Sequence, residues 1–256
     1  MSGSAPASDA RSPVSWVDVG RSYRRKVRRA LRRRGIGGTM RLAGSTLLAR
    51  VLPSVARPAA AMAPSAFDVR HGVDTGGSIE LDRLDIASPD AVHGVCYQAT
   101  PPEIFAEIMG RLPIRHEEFT FVDCGSGKGL VLMLASEAPF RRIAGVEFAS
   151  ELHRVAERNL RVYRSPTQRC HDLVSVNADA AQYAWPEEPL VVYFFNPFRQ
   201  PVMQAVLRRI EESLAACPRP IWILYYNPAQ HGVFDASSCF ERVATDVDYV
   251  IYKSRA

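Results

Sequence analysis

Asp123-Cys124-Gly125-Ser126-Gly127-Lys128-Gly129 places three glycines at alternate positions directly after an acid. Phe119–Asp123 before them reads as a short β-type run, and Leu130–Ala135 after them has helical character. Strand, glycine turn and helix together bring a backbone close to a nucleotide-like ligand. Two nucleotide motifs do not fit. A dinucleotide fingerprint needs a third glycine where Leu130 stands, and a phosphate-binding loop needs a glycine where Val122 stands and Ser or Thr where Gly129 stands. Beyond this turn, Arg142–Glu147 again reads as a buried strand ending in a carboxylate. A carboxylate at that distance from a glycine turn can accept both ribose hydroxyls of an adenosine. A later apolar run, Leu190–Phe195, leads into Asn196-Pro197-Phe198, an amide and an aromatic ring at a strand end. The proline predicts an extended Asn196.

The D-x-G-x-G-x-G pattern resembles motif I of the class I S-adenosylmethionine (SAM) dependent methyltransferases. Glu147 at the second strand end, Ala178-Asp179-Ala180 after Asp172–Asn177, and Asn196-Pro197-Phe198 follow in that family's order. Tyr97-x-x-Thr100 before a helix, Asp-x-Gly-Ser-Gly, Gly145-Val146-Glu147 and Asn196-x-Phe198 are also similar to stretches of the non-SET histone lysine methyltransferases. The class I resemblance covers about residues 97–253. Asn196-Pro197-Phe198 lacks both the second asparagine of the histone enzymes and the double proline of many N-methyltransferases. The resemblance implies SAM as cofactor, held by Tyr97, Thr100, Asp123, Gly125, Ser126, Gly127, Gly129, Glu147 and Asp179. It implies methyl transfer at Asn196, Pro197 and Phe198 to an amine of a protein lysine or small molecule. The Asn196 amide oxygen and nearby carbonyls would accept the amine's N–H bonds, and Phe198 would wall the site or meet a developing ammonium through its π face. An RNA methyltransferase and a non-catalytic SAM-binding module stand as alternatives. Tyr225, Tyr226, Asn227 and His231 are expected to border the same pocket, with His231 the one candidate base.

These residues need a sheet to hold them at one edge, and the chain supplies it. The expected fold is α/β: a doubly wound, Rossmann-like, seven-stranded sheet, mostly parallel with an antiparallel strand seven, preceded by a helical extension. Thr100 is expected to cap the next helix with Pro101 at its first position. Helices are expected over Ser150–Arg164 and Pro201–Cys217 and a strand over Pro220–Tyr226, and the β-rich runs Phe240–Val247 and Tyr249–Lys253 close the sheet.

The remainder of the chain reads as appendages. Residues 1–15 are expected to be a disordered tail, 16–52 a basic helical arm, 53–96 a linker and irregular cap segment, and 97–256 the SAM-binding domain. Residues 21–34 hold nine basic side chains and no acid; removing those nine from 32 leaves 23 basic against 27 acidic. The arm is open to three readings: a solvated helix packed through Tyr23, Val27 and Leu31, an electrostatic contact with nucleic acid or an anionic membrane surface, or an organelle transit peptide. In the cap segment Asp68, His71 and Asp74 are candidate substrate contacts or, more simply, turn and capping residues. The five cysteines are scattered outside any CxxC or Cys/His ligand spacing, so reduced thiols, a cytoplasmic setting and no metal are expected. No apolar run reaches the length of a transmembrane segment.

Overall fold

The computed structural model describes residues 64–79 and 97–255. The expected tail and basic arm, and the rest of the 53–96 segment, lie outside the described residues. In chain order the helices are α1 (Ala66–His71), α2 (Pro102–Met109), α3 (Leu130–Ala135), α4 (Ser150–Val162), α5 (Gln200–Ala216) and α6 (His231–Asp235). The strands are β1 (Ser78–Ile79), β2 (Tyr97–Gln98), β3 (Thr120–Cys124), β4 (Arg142–Glu147), β5 (Leu173–Asn177), β6 (Leu190–Phe195), β7 (Ile221–Tyr226), β8 (Phe240–Thr245) and β9 (Tyr249–Ser254).

β1 and β2 form a small antiparallel pair. The other seven strands make one sheet of order β5-β4-β3-β6-β7-β9-β8. β5, β4, β3, β6 and β7 run parallel, whereas β9 lies antiparallel between β7 and β8. The expected α/β sheet with an antiparallel final strand is therefore present. The central strands are continuous apolar runs because helices cover both faces of a parallel sheet. Alternation divides them between two layers. Phe121, Val191, Tyr193 and Leu224 meet Ile104, Phe105 and Ile108 of α2 and Val131 and Leu132 of α3 on one face. Val122, Val192, Phe194, Ile223 and Tyr225 meet Val202, Val206 and Ile210 of α5 and Phe234 of α6 on the other. At the β8 edge, Glu241 and Arg242 are exposed, and charge there discourages pairing with another chain.

Three local expectations change. α2 begins one residue later than expected, with Pro101 at the cap and no side-chain cap bond. Thr100 instead points into the sheet, where its hydroxyl lies 3.2 Å from the Tyr193 hydroxyl. A buried hydroxyl gains more from a buried partner than from capping. Residues 66–71, expected to be irregular, form a helix closed by a capping box: Ser65 Oγ accepts from the Asp68 amide, and Asp68 Oδ2 accepts from the Ser65 amide, both at 3.0 Å. Polar content concealed a helix whose first turn is built by those polar groups. Val162, an apolar residue of the helix expected over Ser150–Arg164, is 53% exposed at the helix end.

Between α5 and β7, Arg219 ties together the segments that lead into β6 and β7. Its guanidinium donates to the carbonyls of Pro186, Glu188, Ser213 and Cys217 at 2.6–3.0 Å, and to Ser213 Oγ at 2.8 Å. Two of those carbonyls belong to the C-terminal end of α5, where a cation also complements the helix dipole. Replacing Arg219 with Ala strips donors from several carbonyls at once. We expect a loss of about 2–3 kcal/mol, with Arg219→Lys restoring only part because it lacks the planar fork. Thermal unfolding followed by circular dichroism measures it, and an unchanged midpoint in Arg219→Ala would contradict the assignment.

Candidate active site

The chain passes from β3 to β4 and β5 on one side of the sheet, then returns to place β6 against the other side of β3. Such a reversal leaves a crevice at the carboxyl ends of the strands. Three cavities open there and share Gly125. The first is bordered by Tyr97, Glu147, Phe148, Asn196 and Phe198, the second by Phe148, Ala178, Asp179, Ala180 and Phe198, and the third by Thr100, Asp123, Ser126, Tyr193 and Phe195. The sheet order, with β9 reversed between β7 and β8, settles the architecture. The fold is that of the class I methyltransferases.

In this methyltransferase fold the glycine turn is shaped by contact. Gly125 has φ 79, and a Cβ there would stand 2.6 Å from the Cβ of Pro197. Gly127 has φ 54, and a Cβ there would fall 2.2 Å from Tyr97 Cε2. Both positions combine a left-handed backbone with a close approach, which only glycine satisfies. Gly129 starts α3 and borders none of the three cavities. Glu147, fully buried at the end of β4, faces this turn. Its Oε2 accepts from the Gly127 amide at 2.8 Å and its Oε1 from the Ala149 amide at 2.9 Å. Burial pushes its carboxyl up to about 7, although those backbone bonds pull the other way. Asp123 is raised well above the usual carboxylate range by burial and then by the neighbouring Glu147 charge.

A strap from the N-terminal side crosses this turn. Tyr97 lies against Gly127 and donates its hydroxyl to the Thr75 carbonyl at 2.7 Å. Lys128 Nζ donates to Asp74 Oδ1 at 2.7 Å and to the Gly76 carbonyl at 2.8 Å. The buried Asn159 amide binds the Asp74 backbone through both N–H and C=O and also the Lys128 carbonyl. Asp68 orders the strap by accepting from the Thr75 amide and hydroxyl. Burial raises the Asp68 carboxyl, but its bonds from Thr75 and Ser65 outweigh that and leave it below the usual range. His71 meets the Arg164 carbonyl at 3.0 Å. Asp68, His71 and Asp74 thus hold the strap, and none of them borders the three cavities.

At the ends of β6 and β7 the geometry departs from expectation. Asn196 is left-handed, φ 43, and not extended, and Asn227 matches it at φ 49. Asparagine tolerates this region better than other residues with a Cβ, and that tolerance prevails over the bias imposed by Pro197. Asn196 Oδ1 accepts from the Tyr225 hydroxyl at 3.3 Å. Asn227 borders the first cavity, while Tyr226 is buried in the opposite core layer. His231 is not in the cleft. It lies on α6, half exposed, 2.8 Å from Asp235, in a surface cluster with Arg242. The loop of residues 227–230 carries it past the end of β7.

Sequence reasoning did not single out Phe148, Leu152, Gln98 or Phe195, all of which border the first cavity. Phe148 was within reach, since it follows the strand-end acid directly. The lysine within the glycine turn gave no sign of its partner 54 residues earlier.

No protein-family model and no curated protein matches the sequence. Solved structures do align. The 23S rRNA methyltransferase ErmE covers 62% of this chain and 70% of its own at 16% identity, TM-score 0.44. The ribosomal protein L11 methylase of Lactobacillus delbrueckii subsp. bulgaricus covers 70% and 98% at 11% identity, TM-score 0.44. A dimethyladenosine transferase from Plasmodium falciparum covers 62% of each chain at 11% identity, TM-score 0.44. The fold assignment stands on the strand order itself. Among the described residues no helix is long and apolar enough to cross a membrane.

Proposed function

We propose that this chain is a SAM-dependent methyltransferase acting on a nitrogen. The observation that carries it is the buried Glu147 carboxylate, held against the Gly127 amide at the point where the strand order reverses. Each Glu147 oxygen already takes one backbone N–H and keeps lone pairs for a vicinal diol. Two further features fit a bound adenosyl group with an amino-acid tail. Ser126 Oγ is buried without a partner among the described residues and borders the third cavity. The second cavity is small and lined by Phe148, Phe198 and Asp179, suited to a flat base.

In this reading Glu147 holds the ribose, Asp179 and Phe148 the base, and Gly125, Ser126 and Gly127 line the backbone side of the cleft. Thr100 and Asp123 face the tail, Gly129 and Tyr97 shape the turn, and Asn196, Pro197 and Phe198 meet the acceptor. When bound, SAM supplies an electrophilic methyl group, which the acceptor nitrogen's lone pair takes as the carbon–sulfur pair stays on sulfur. The chain's own contribution is then to hold the acceptor in line and to exclude water, and orientation of this kind supplies much of the acceleration. An N–H proton released afterwards passes to water, since the one carboxylate among the described residues bordering this cavity, Glu147, is committed to the ribose.

Calorimetric titration with SAM, S-adenosylhomocysteine and NADH tests the cofactor. Binding of the first two but not the third is expected, and a response to NADH alone would overturn the reading. Incubating a cell extract with methyl-labelled SAM then locates the acceptor. Label in RNA would favour the second reading, in which the cationic stretch 21–34 contacts phosphates.

A further inference from the structure

The hydrogen-bond chain behind Asn196 fixes which end of its amide reaches the cleft. The Gln230 backbone N–H can only donate, and it donates to the Tyr225 hydroxyl oxygen at 3.2 Å. The hydroxyl's own proton is therefore free to go to Asn196, 3.3 Å away, and only an oxygen can receive it. Tyr225 is fully buried, and burial raises its phenol, so the proton stays in place. Oδ1 thus faces the core. Nδ2, which has no partner among the described residues, is left to the first cavity, whose wall Asn196 forms.

From this we infer that the acceptor end of the cleft presents a donor, Asn196 Nδ2, set in place by Tyr225 as a positioning residue. The site then takes a planar acceptor with a carbonyl oxygen or unprotonated ring nitrogen beside the nitrogen that is methylated. The inference rests on the methyl-transfer reading above and narrows it. An alkylamine brings N–H bonds against an N–H bond, and donors facing donors leave both unsatisfied. An ammonium would also need an anion, and the one carboxylate among the described residues bordering this cavity, Glu147, is taken up by the ribose in the reading above. The rings of Phe195 and Phe198 instead offer walls for a flat group.

The test uses the full chain, methyl-labelled SAM and two sets of probes: cytosine and adenine on one side, a lysine-containing peptide and putrescine on the other. Turnover is expected with the first set. Asn196→Asp keeps an oxygen for Tyr225 but replaces the donor with an acceptor, and should lower kcat/KM by about 10- to 100-fold while SAM affinity by calorimetry stays unchanged. Tyr225→Phe frees the amide to turn, and should lower kcat about 10-fold, again with unchanged SAM affinity. Asn196→Asp at or above wild-type activity overturns the inference, as does preference for the alkylamines or turnover of neither set by a protein that binds SAM. Failure to bind SAM would refute the methyl-transfer reading instead. A second measurement then still decides the polarity: the ¹⁵N-labelled Asn196 side-chain amide should shift with adenine and not with putrescine, and the reverse pattern overturns it.

Discussion

Glu147→Ala is expected to weaken SAM binding by about 10- to 100-fold, because it removes a charge-assisted acceptor from the ribose position. The structure adds a second consequence. The same carboxylate holds the amides of Gly127 and Ala149, so the glycine turn should loosen and the unfolding temperature should fall. Glu147→Gln separates the two effects. It keeps the volume, but sets an NH₂ against one of the two backbone N–H groups and can no longer accept at both positions. Affinity should also depend on pH. The folded carboxyl titrates near 7, above its ordinary 4.5. A carboxyl raised by folding stabilises the ligand-free protein in its protonated form. That contribution is complete below the unfolded value and is lost as pH rises through about 7. A diol that donates two hydrogen bonds favours the ionised form, so SAM affinity should rise between pH 6 and about 8 and then level off. Titration calorimetry across that range measures it. A folded Glu147→Gln that binds SAM as the wild type does, with the same pH profile, would remove Glu147 from the site.

Gly125→Ala is expected to lower turnover by about 100-fold. The left-handed backbone alone costs about 1–2 kcal/mol for a residue with a Cβ. The new Cβ would also stand 2.6 Å from that of Pro197, and neither ring nor backbone there is a flexible tail that can swing aside. Pro197 must move, and Asn196 and Phe198 move with it. A displacement near 1 Å of groups that orient a substrate can cost on the order of 10²-fold in rate. Gly72→Ala is the control. It shares the positive φ, 66, but has nothing within 4 Å, so it should lose stability alone and keep activity. Steady-state turnover and thermal unfolding of both variants, side by side, decide the matter. Equal loss of activity in the two would mean that strain, not the Pro197 contact, is responsible.

These two residues also mark what could be read from the chain alone. The acid–glycine pattern after a β-type run, the carboxylate ending Arg142–Glu147 and the Asn-Pro after Leu190–Phe195 are local signals. Each reflects backbone requirements met within a few residues, and β4 and β6 fall where the sequence puts them. The mostly parallel sheet followed from the resemblance to the class I methyltransferases, and the two closing β-rich runs suited its reversed last strand. Tertiary structure decided everything that depends on residues distant in sequence. No pattern in the chain pairs Lys128 with Asp74, sets Tyr97 on Gly127, or lays Pro197 against Gly125. Nor does it send the Thr100 hydroxyl to Tyr193 in place of a helix cap. The conformation of Asn196 is the clearest instance. Pro197 favours an extended residue before it, but the turn at the end of β6 and the buried hydroxyl of Tyr225, 29 residues on, draw it into the left-handed region. A dipeptide preference is weak beside a buried hydrogen bond and a chain reversal that the whole sheet enforces. That contact also sets the polarity of the acceptor site, because a side-chain amide shows its oxygen or its nitrogen according to what stands behind it.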